Sequence, residues 1–231
     1  VVDQMRQDYL YRFNNKFSAG GFKRLTANGY SLTNAHYNYA PTYTGPGHAS
    51  IYTGTSPAIH GIIGNDYYDK ETKKIINCVA DARYSAVGSK SGNGAVSPTN
   101  LLSTTITDEL RLSTQKKSKV IGISCKDRGA VLPAGHLANG AYWYDARTGK
   151  FITSTYYGTK LPLWAEQFNE RALADEYLSR VWNTLLPIDQ YTESGPDQSP
   201  YESKGFGRSR TTFPYDLKAM RKNGGYDLLT S

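Results

Sequence analysis

The stretch PTYTGPGHASIYTGTSPAIHGIIGNDYYD, residues 41–69, decides how this chain is read. It sets a hydroxyl side chain, Thr44, directly before a Gly-Pro-Gly break at Gly45, Pro46 and Gly47. That break opens a predicted helix over about Gly47 to Thr53, and a proline near a helix start is tolerated because its missing N–H would be unpaired there anyway. Thr44 would then stand where free backbone N–H groups and the positive end of the helix dipole point outward, a place that attracts a phosphate dianion. A hydroxyl is a poor nucleophile at neutral pH and needs a neighbouring base or a metal ion. His48 and His60 are the bases nearest in sequence, and the sequence does not aim either at Thr44. The same threonine would equally serve as a plain helix N-cap.

Outward from this stretch, the pattern alternates between strand and helix. Val1 and Val2 read as the tail of a buried strand. Met5, Tyr9, Leu10, Phe13 and Phe17 recur at three- and four-residue steps and predict a helix from about Met5 to Phe17. A second helix near Phe22 to Ala27 closes on Asn28-Gly29, and residues 30–39 read as extended. Strand, helix, strand, helix is the order of an α/β domain with a mainly parallel sheet. Beyond Asp69 come a polar connection with Lys70, Lys73 and Lys74, then a Gly/Ser/Pro-rich loop over 85–100. A helix is expected over Leu101 to Leu112, and a short buried strand over Val120 to Ser124. Hairpin arms at Ala141 to Tyr144 and Phe151 to Thr155 flank Asp145–Gly149. A helix over Leu163 to Trp182 would bury Trp164, Phe168, Leu173, Tyr177 and Val181. Residues 186–214 read as a long surface excursion, and no internal repeat is visible.

The 231 residues suffice for one large domain or a piece of a bigger one. A net charge of +7 spread along the chain favours anionic substrates and lacks the clustered stripe of a nucleic-acid binder. The 19 tyrosines suit the wet loops of an exported protein. Cys78 and Cys125 match no metal-binding spacing. They leave open one disulfide or two buried thiols, and the strand-like run before Cys125 favours its burial. No apolar run approaches the roughly 18 residues of a membrane span. The start on Val1-Val2-Asp3 reads as a strand end, so residues, and with them export signals, are expected to precede it.

Open α/β sheets bind ligands at the carboxyl ends of their strands. Asp3, Thr44 and the group Lys126-Asp127-Arg128 all stand at such expected ends. Taken singly, Asp3 could cap the following helix, and Lys126 and Arg128 could be solvated loop charges.

The ordered pieces Thr44, Thr53-Gly54, Pro57-Ala58-Ile59-His60-Gly61-Ile62 and Asn65 resemble the nucleophile region of the alkaline phosphatase superfamily. Val1-Val2-Asp3-Gln4-Met5-Arg6 and Lys126-Asp127-Arg128-Gly129-Ala130-Val131-Leu132-Pro133-Ala134-Gly135-His136 are similar to the phosphate-irrepressible periplasmic branch, over nearly the whole chain. The resemblance implies an alkaline-phosphatase-like α/β/α sandwich with a mainly parallel sheet and long loop insertions, truncated here. Residues 1–231 would be the amino-terminal part of one catalytic domain, with an insertion around 140–215. It implies a cofactor of two zinc ions, Asp3 and Thr44 among their ligands. Thr44 would be the nucleophile and form a phosphothreonine, while Asn65, Lys126 and Arg128 bind the non-bridging oxygens. Asp127 would turn away, since a carboxylate there repels phosphate, and His136 would be a structural donor within its loop.

A two-zinc site needs about six or seven side chains, mainly His and Asp, and this chain matches two. His36, His48, His60 and His136 stand in no Asp-His or Asp-x-x-x-His arrangement. The remaining ligands are expected outside this chain, on a continuation of it or on a companion chain, and the chain alone is expected to be inactive. The implied activity is hydrolysis of small phosphate monoesters in the periplasm or outside the cell. A phosphodiesterase of the same superfamily and a non-catalytic phosphate- or glycan-binding exported module are the alternatives.

Overall fold

The computed structural model describes residues 1–202, 204 and 210–229. At the start of the chain the helices are short: α1 (Tyr9–Arg12), a 3-10 turn at Asn14–Lys16, and α2 (Phe22–Asn28). The long helix expected over Met5 to Phe17 does not form. Its apolar residues are only half-buried and pack locally, Tyr9 on Phe13 and Phe17 on Phe22, with ring centroids 5.5 and 5.1 Å apart. A helix without a packed face is marginal at this length. α2 ends at Gly29, as its sequence indicates. Residues 30–39 form turns rather than a strand.

α3 (Thr44–Thr53) and α4 (Pro57–His60) follow, both closed by glycines in the left-handed region, Gly54 and Gly61. The polar connection after them is a hairpin, β1 (Asp66–Asp69) with β2 (Lys74–Asn77). A four-stranded sheet is built from β3 (Ala86–Val87), β4 (Ile121–Ser124), β5 (Gly140–Asp145) and β6 (Lys150–Ser154), in the order β3-β6-β5-β4. The helices around it are α5 (Ile106–Ser113), α6 (Asp127–Ala134), α7 (Leu163–Glu170) and α8 (Leu173–Leu178). A last pair, β7 (Val181–Trp182) with β8 (Tyr215–Asp216), leads into α9 (Leu217–Gly224).

The sheet is mixed. Only β4 and β5 pair in parallel; the β5–β6 hairpin and the β3–β6 pair are antiparallel, so the parallel pairing expected to dominate is confined to one ladder among the described residues. α6 packs on β4 and β5 and α7 on β6, which gives three layers. Ala49, Val131, Leu132, Ala141, Trp143 and Ile152 form the larger core, between α3, α6 and the sheet. Val87, Tyr142, Leu161 and Ala165 form a second one under α7.

Three expectations of burial fail for reasons of position. β4 is an edge strand, and Ile121 and Ile123 are 50% and 60% exposed. Val1 and Val2 are exposed and pair with no described strand, although Val1 lies in a cleft along the outer side of β4 with Ile121 and Ile123. The helix expected over 163–182 breaks at Ala172 (φ 48°), so Ala165, Ala174 and Leu178 are buried while Trp164, Phe168, Tyr177 and Val181 are exposed. Of the excursion over 186–214, positions 203 and 205–209 lie outside the described residues; the rest is largely irregular and exposed.

Candidate active site

Helix α3 starts one turn earlier than its sequence suggests. Tyr43 is its N-cap and Thr44 its first residue, so Thr44 is not the capping residue. The cap comes from elsewhere: the Gly45 N–H donates to Asn65 Oδ1 at 2.7 Å. This bond fixes the orientation of the Asn65 amide and leaves its Nδ2 donors uncommitted among the described residues. The backbone approaches its neighbours closely at Gly45. A Cβ there would lie 3.1 Å from both Cys78 Sγ and the Gly64 carbonyl, and 3.3 Å from Asn65 Oδ1.

Thr44 is half-buried, and its hydroxyl donates to Asp3 Oδ2 at 3.2 Å. Residues 41 positions apart thus meet at the mouth of α3. His48 does not accept from the hydroxyl: its Nδ1 donates to the Thr44 carbonyl oxygen, 2.8 Å away, and the hydroxyl's acceptor is Asp3. His60 is fully buried. Its Nδ1 accepts from the Ile62 N–H, so Nε2 carries the proton toward Ser50 Oγ, 2.9 Å away, and burial lowers its pKa. His36 is exposed beside Asn34.

Helix α6 opens beside α3. Lys126 is its N-cap, Asp127 and Arg128 its first two residues, and a Cβ at Gly129 would stand 3.9 Å from His48 Nε2. The start of α6 therefore packs against α3 at His48. Cys78 lies between them, against Gly45 on one side and within the electrostatic reach of Arg128 and Asp127 on the other. It is fully buried, and burial pushes its thiol up to about 12. Cys78 and Cys125 are both free, and Cys125 is exposed rather than buried.

Lys126, Asp127 and Arg128 line a cleft of about 450 Å³ with Asn77, Asn93 and Trp143. The Arg128 Nε is buried without a hydrogen-bond partner among the described residues. A buried guanidinium donor with nothing to bind is costly unless a ligand supplies the acceptor. Asp127 does not turn away. Its Oδ1 accepts from the Arg128 N–H at 2.7 Å and lies 3.9 Å from Arg128 Nη1, within the same cleft. Burial raises its pKa.

The network behind α6 was not anticipated, except for the structural role of His136. Asp108 is 1% exposed and accepts from the Thr105 N–H, the Leu137 N–H and His136 Nδ1. His136 Nε2 bonds the Leu101 carbonyl. An acceptor at each nitrogen favours the protonated ring, and the hydrogen bond to Asp108 raises its pKa. Asp108 with Thr105 also forms the capping box of α5. A threonine three residues before an acid is visible in the sequence and would have placed the start of α5 at Ile106 rather than Leu101.

The model for type I phosphodiesterase / nucleotide pyrophosphatase matches residues 1–213. The chain is 51% identical, over its whole length, to the alkaline phosphatase PhoV of Synechococcus elongatus. It is 53% identical over 216 residues to the alkaline phosphatase PafA of Elizabethkingia meningoseptica. It is also 50% identical, over its whole length, to a Myroides odoratus protein named calcium-transporting ATPase. It spans 40–42% of the length of these relatives. The crystal structure of wild-type PafA superimposes with a TM-score of 0.94 at 50% identity, over 98% of this chain and 44% of that one. A second PafA structure matches equally well, at 49% identity; in it a threonine is changed to serine and an asparagine, a lysine and an arginine to alanine. The chain belongs to the type I phosphodiesterase / nucleotide pyrophosphatase family, in the alkaline phosphatase superfamily, and resembles its threonine-nucleophile alkaline phosphatases.

Proposed function

We propose that the protein carrying this chain is an exported phosphatase that hydrolyses phosphate monoesters, with Thr44 as the nucleophile. The observation that carries this reading is the convergence of Thr44, Asp3 and Asn65 at the mouth of α3, beside a cleft that holds the unpartnered Arg128 donor. The four side chains altered in the PafA variant support it. In chain order they are Thr, Asn, Lys and Arg, with the first two separated by twenty-one positions and the last two by two, as are Thr44 and Asn65, and Lys126 and Arg128.

In this mechanism Thr44 Oγ attacks phosphorus, the alcohol leaves, and water later hydrolyses the phosphothreonine. Asn65 Nδ2, Lys126 and Arg128 hold the non-bridging oxygens, where positioning and charge do most of the catalytic work. Asp3 accepts the Thr44 hydrogen bond and orients its hydroxyl. Two zinc ions belong to the proposal. A carboxylate and a hydroxyl 3.2 Å apart suit one side of such a site, but among the described residues no group of three or more His, Cys, Asp or Glu could hold a metal. Asp3 and Thr44 would hold one ion in part, and that ion, when bound, would lower the pKa of the threonine hydroxyl. The other ligands, from a continuation or a companion chain, are needed for turnover, and this chain alone is expected to be inactive. The segment around 140–215 is proposed as an insertion in the catalytic domain. Export belongs to the proposal; no helix among the described residues is long and apolar enough to cross a membrane.

The family name admits diesterases, and the Lys126–Arg128 pair argues for monoesters. A monoester carries one more negative charge on its phosphoryl group, which a lysine and a forked guanidinium together neutralise. The ATPase name of the Myroides relative fits the same chemistry, since a terminal phosphoryl group is again the one transferred. Rates on an aryl phosphate and on an aryl phosphodiester, measured on the complete protein, test the choice. A monoester preference that drops by about 10²–10³ in Lys126→Ala is expected. A diester preference that survives this change would assign the site to a phosphodiesterase.

A further inference from the structure

The cleft at the head of α6 holds one charge that its task as an anion clamp does not call for. Between Lys126 and Arg128 stands the Asp127 carboxylate, 24% exposed, with Arg128 at 20%. Two distances define its role. Asp127 Oδ1 is 2.7 Å from the Arg128 backbone nitrogen, so it satisfies a first-turn N–H of α6. It is 3.9 Å from Arg128 Nη1, beyond hydrogen-bond reach. The guanidinium therefore keeps its donors, and Nε has no partner at all among the described residues. Asp127 acts on the clamp through its charge and does not hold it in place.

We infer that Asp127 tunes the clamp by weakening its grip on phosphate dianion, the product of the reaction. The inference rests on the reading of Lys126 and Arg128 as the phosphoryl-binding pair. The groups around Asp127 are consistent with it. Lys126 and Arg128 favour its carboxylate form, Asp66 at the start of β1 opposes it, and the buried Cys78 thiol after β2 lies close by. The Asp127 carboxylate shares the cleft with both cations, so the cleft is less positive than its lysine and arginine alone would make it. Substrate and product both present a phosphate dianion. Binding energy common to both lowers KM without raising kcat, and it slows product release. A carboxylate that offsets part of the clamp's charge reduces this common term, while the donors that meet the transition state stay free.

The test is the affinity of the full-length protein for inorganic phosphate, measured by equilibrium dialysis. Asp127→Asn keeps an oxygen acceptor for the Arg128 N–H and removes the charge; Asp127→Ser keeps a hydroxyl acceptor and provides a second, smaller variant. Both are expected to bind phosphate on the order of tenfold more tightly than wild type at low salt. The gain should shrink toward unity in molar salt, which a structural effect would not reproduce. Affinity that is unchanged or weaker in either folded variant would overturn the inference. Lys126→Ala and Arg128→Ala separate it from the reading beneath. If both leave phosphate affinity unaltered, the clamp itself is misassigned; if both weaken it while Asp127→Asn does not tighten it, only the role of Asp127 falls.

Discussion

Two polar clusters lie at opposite ends of α6, and they are built on opposite principles. At its carboxyl end, Asp108 is buried and its oxygens accept from two backbone N–H groups and from His136, whose other nitrogen bonds the Leu101 carbonyl. Gly135, just past the helix, permits this closeness. Its φ is +76°, and a Cβ there would fall 2.3 Å from Thr105 Oγ1 and 2.6 Å from Asp108 Oδ2. At the amino end, Lys126 and Arg128 share a cleft with Asp127, and a buried Arg128 donor is left without a partner. Closed networks hold a fold together, whereas open ones wait for a ligand. The contrast sets a structural network at one end of a single helix and the proposed phosphate clamp at the other.

Substitutions should separate the two ends. The largest effect on rate is expected from Arg128→Ala in the complete protein: turnover of an aryl phosphate should fall by about 10²–10³, with a urea midpoint equal to or above that of wild type, because an unsatisfied buried donor is removed. A loss of stability as large as the loss of rate would erase the contrast. Next comes Asp108→Ala, which strands His136 and two N–H groups and should cost about 3–5 kcal/mol in denaturant unfolding. KM for the remaining folded protein should change little. Gly45→Ala is intermediate in kind. The new methyl presses on Cys78, Gly64 and Asn65, so a loss of about 1–3 kcal/mol is expected, together with a fall in kcat as the Asn65 cap shifts. Stability unchanged and rate intact would show that this contact relaxes freely.

The smallest effect is a pH dependence. The hydrogen bond that His136 donates to Asp108 raises the imidazole pKa against the opposing effect of burial. A raised imidazole pKa stabilises the fold fully below the unfolded value of about 6.5, and the contribution fades as pH climbs through the folded value. For Asp108, burial alone would raise the carboxyl, but bonds from His136, Thr105 and Leu137 outweigh it and hold it at about 2. Its contribution is present above the unfolded carboxylate value and is lost as pH falls toward 2. Denaturant midpoints should therefore decline mildly as pH rises above about 6.5 in wild type, and this slope should vanish in His136→Gln.

The proposed site residues were named partly from local pattern and partly from resemblance: Thr44 stands at a helix start and Lys126 and Arg128 after a strand, while Asn65 came from the resemblance alone. What escaped was set by the neighbours. The β1–β2 hairpin was read as a polar connection, although Tyr67 faces Ile76 across it, because its exposed residues mask the alternation. Ile121 and Ile123 look like core residues until β4 turns out to be an edge strand. The helix over 163–182 fails at Ala172, a residue that carries no sign of a break. Asp127 was expected to point away from a bound phosphate; its bond to the first-turn Arg128 N–H, which keeps it beside Lys126 and Arg128, was left out of that account.

The most direct test of the central assignment is chemical. The complete protein is mixed with an aryl phosphate, quenched in acid during turnover, digested and analysed by mass spectrometry. Thr44 as nucleophile predicts a phosphoryl group on the peptide that contains residue 44, absent from Thr44→Ala. A phosphoryl group on any other residue, or undiminished turnover of Thr44→Ala, would contradict it.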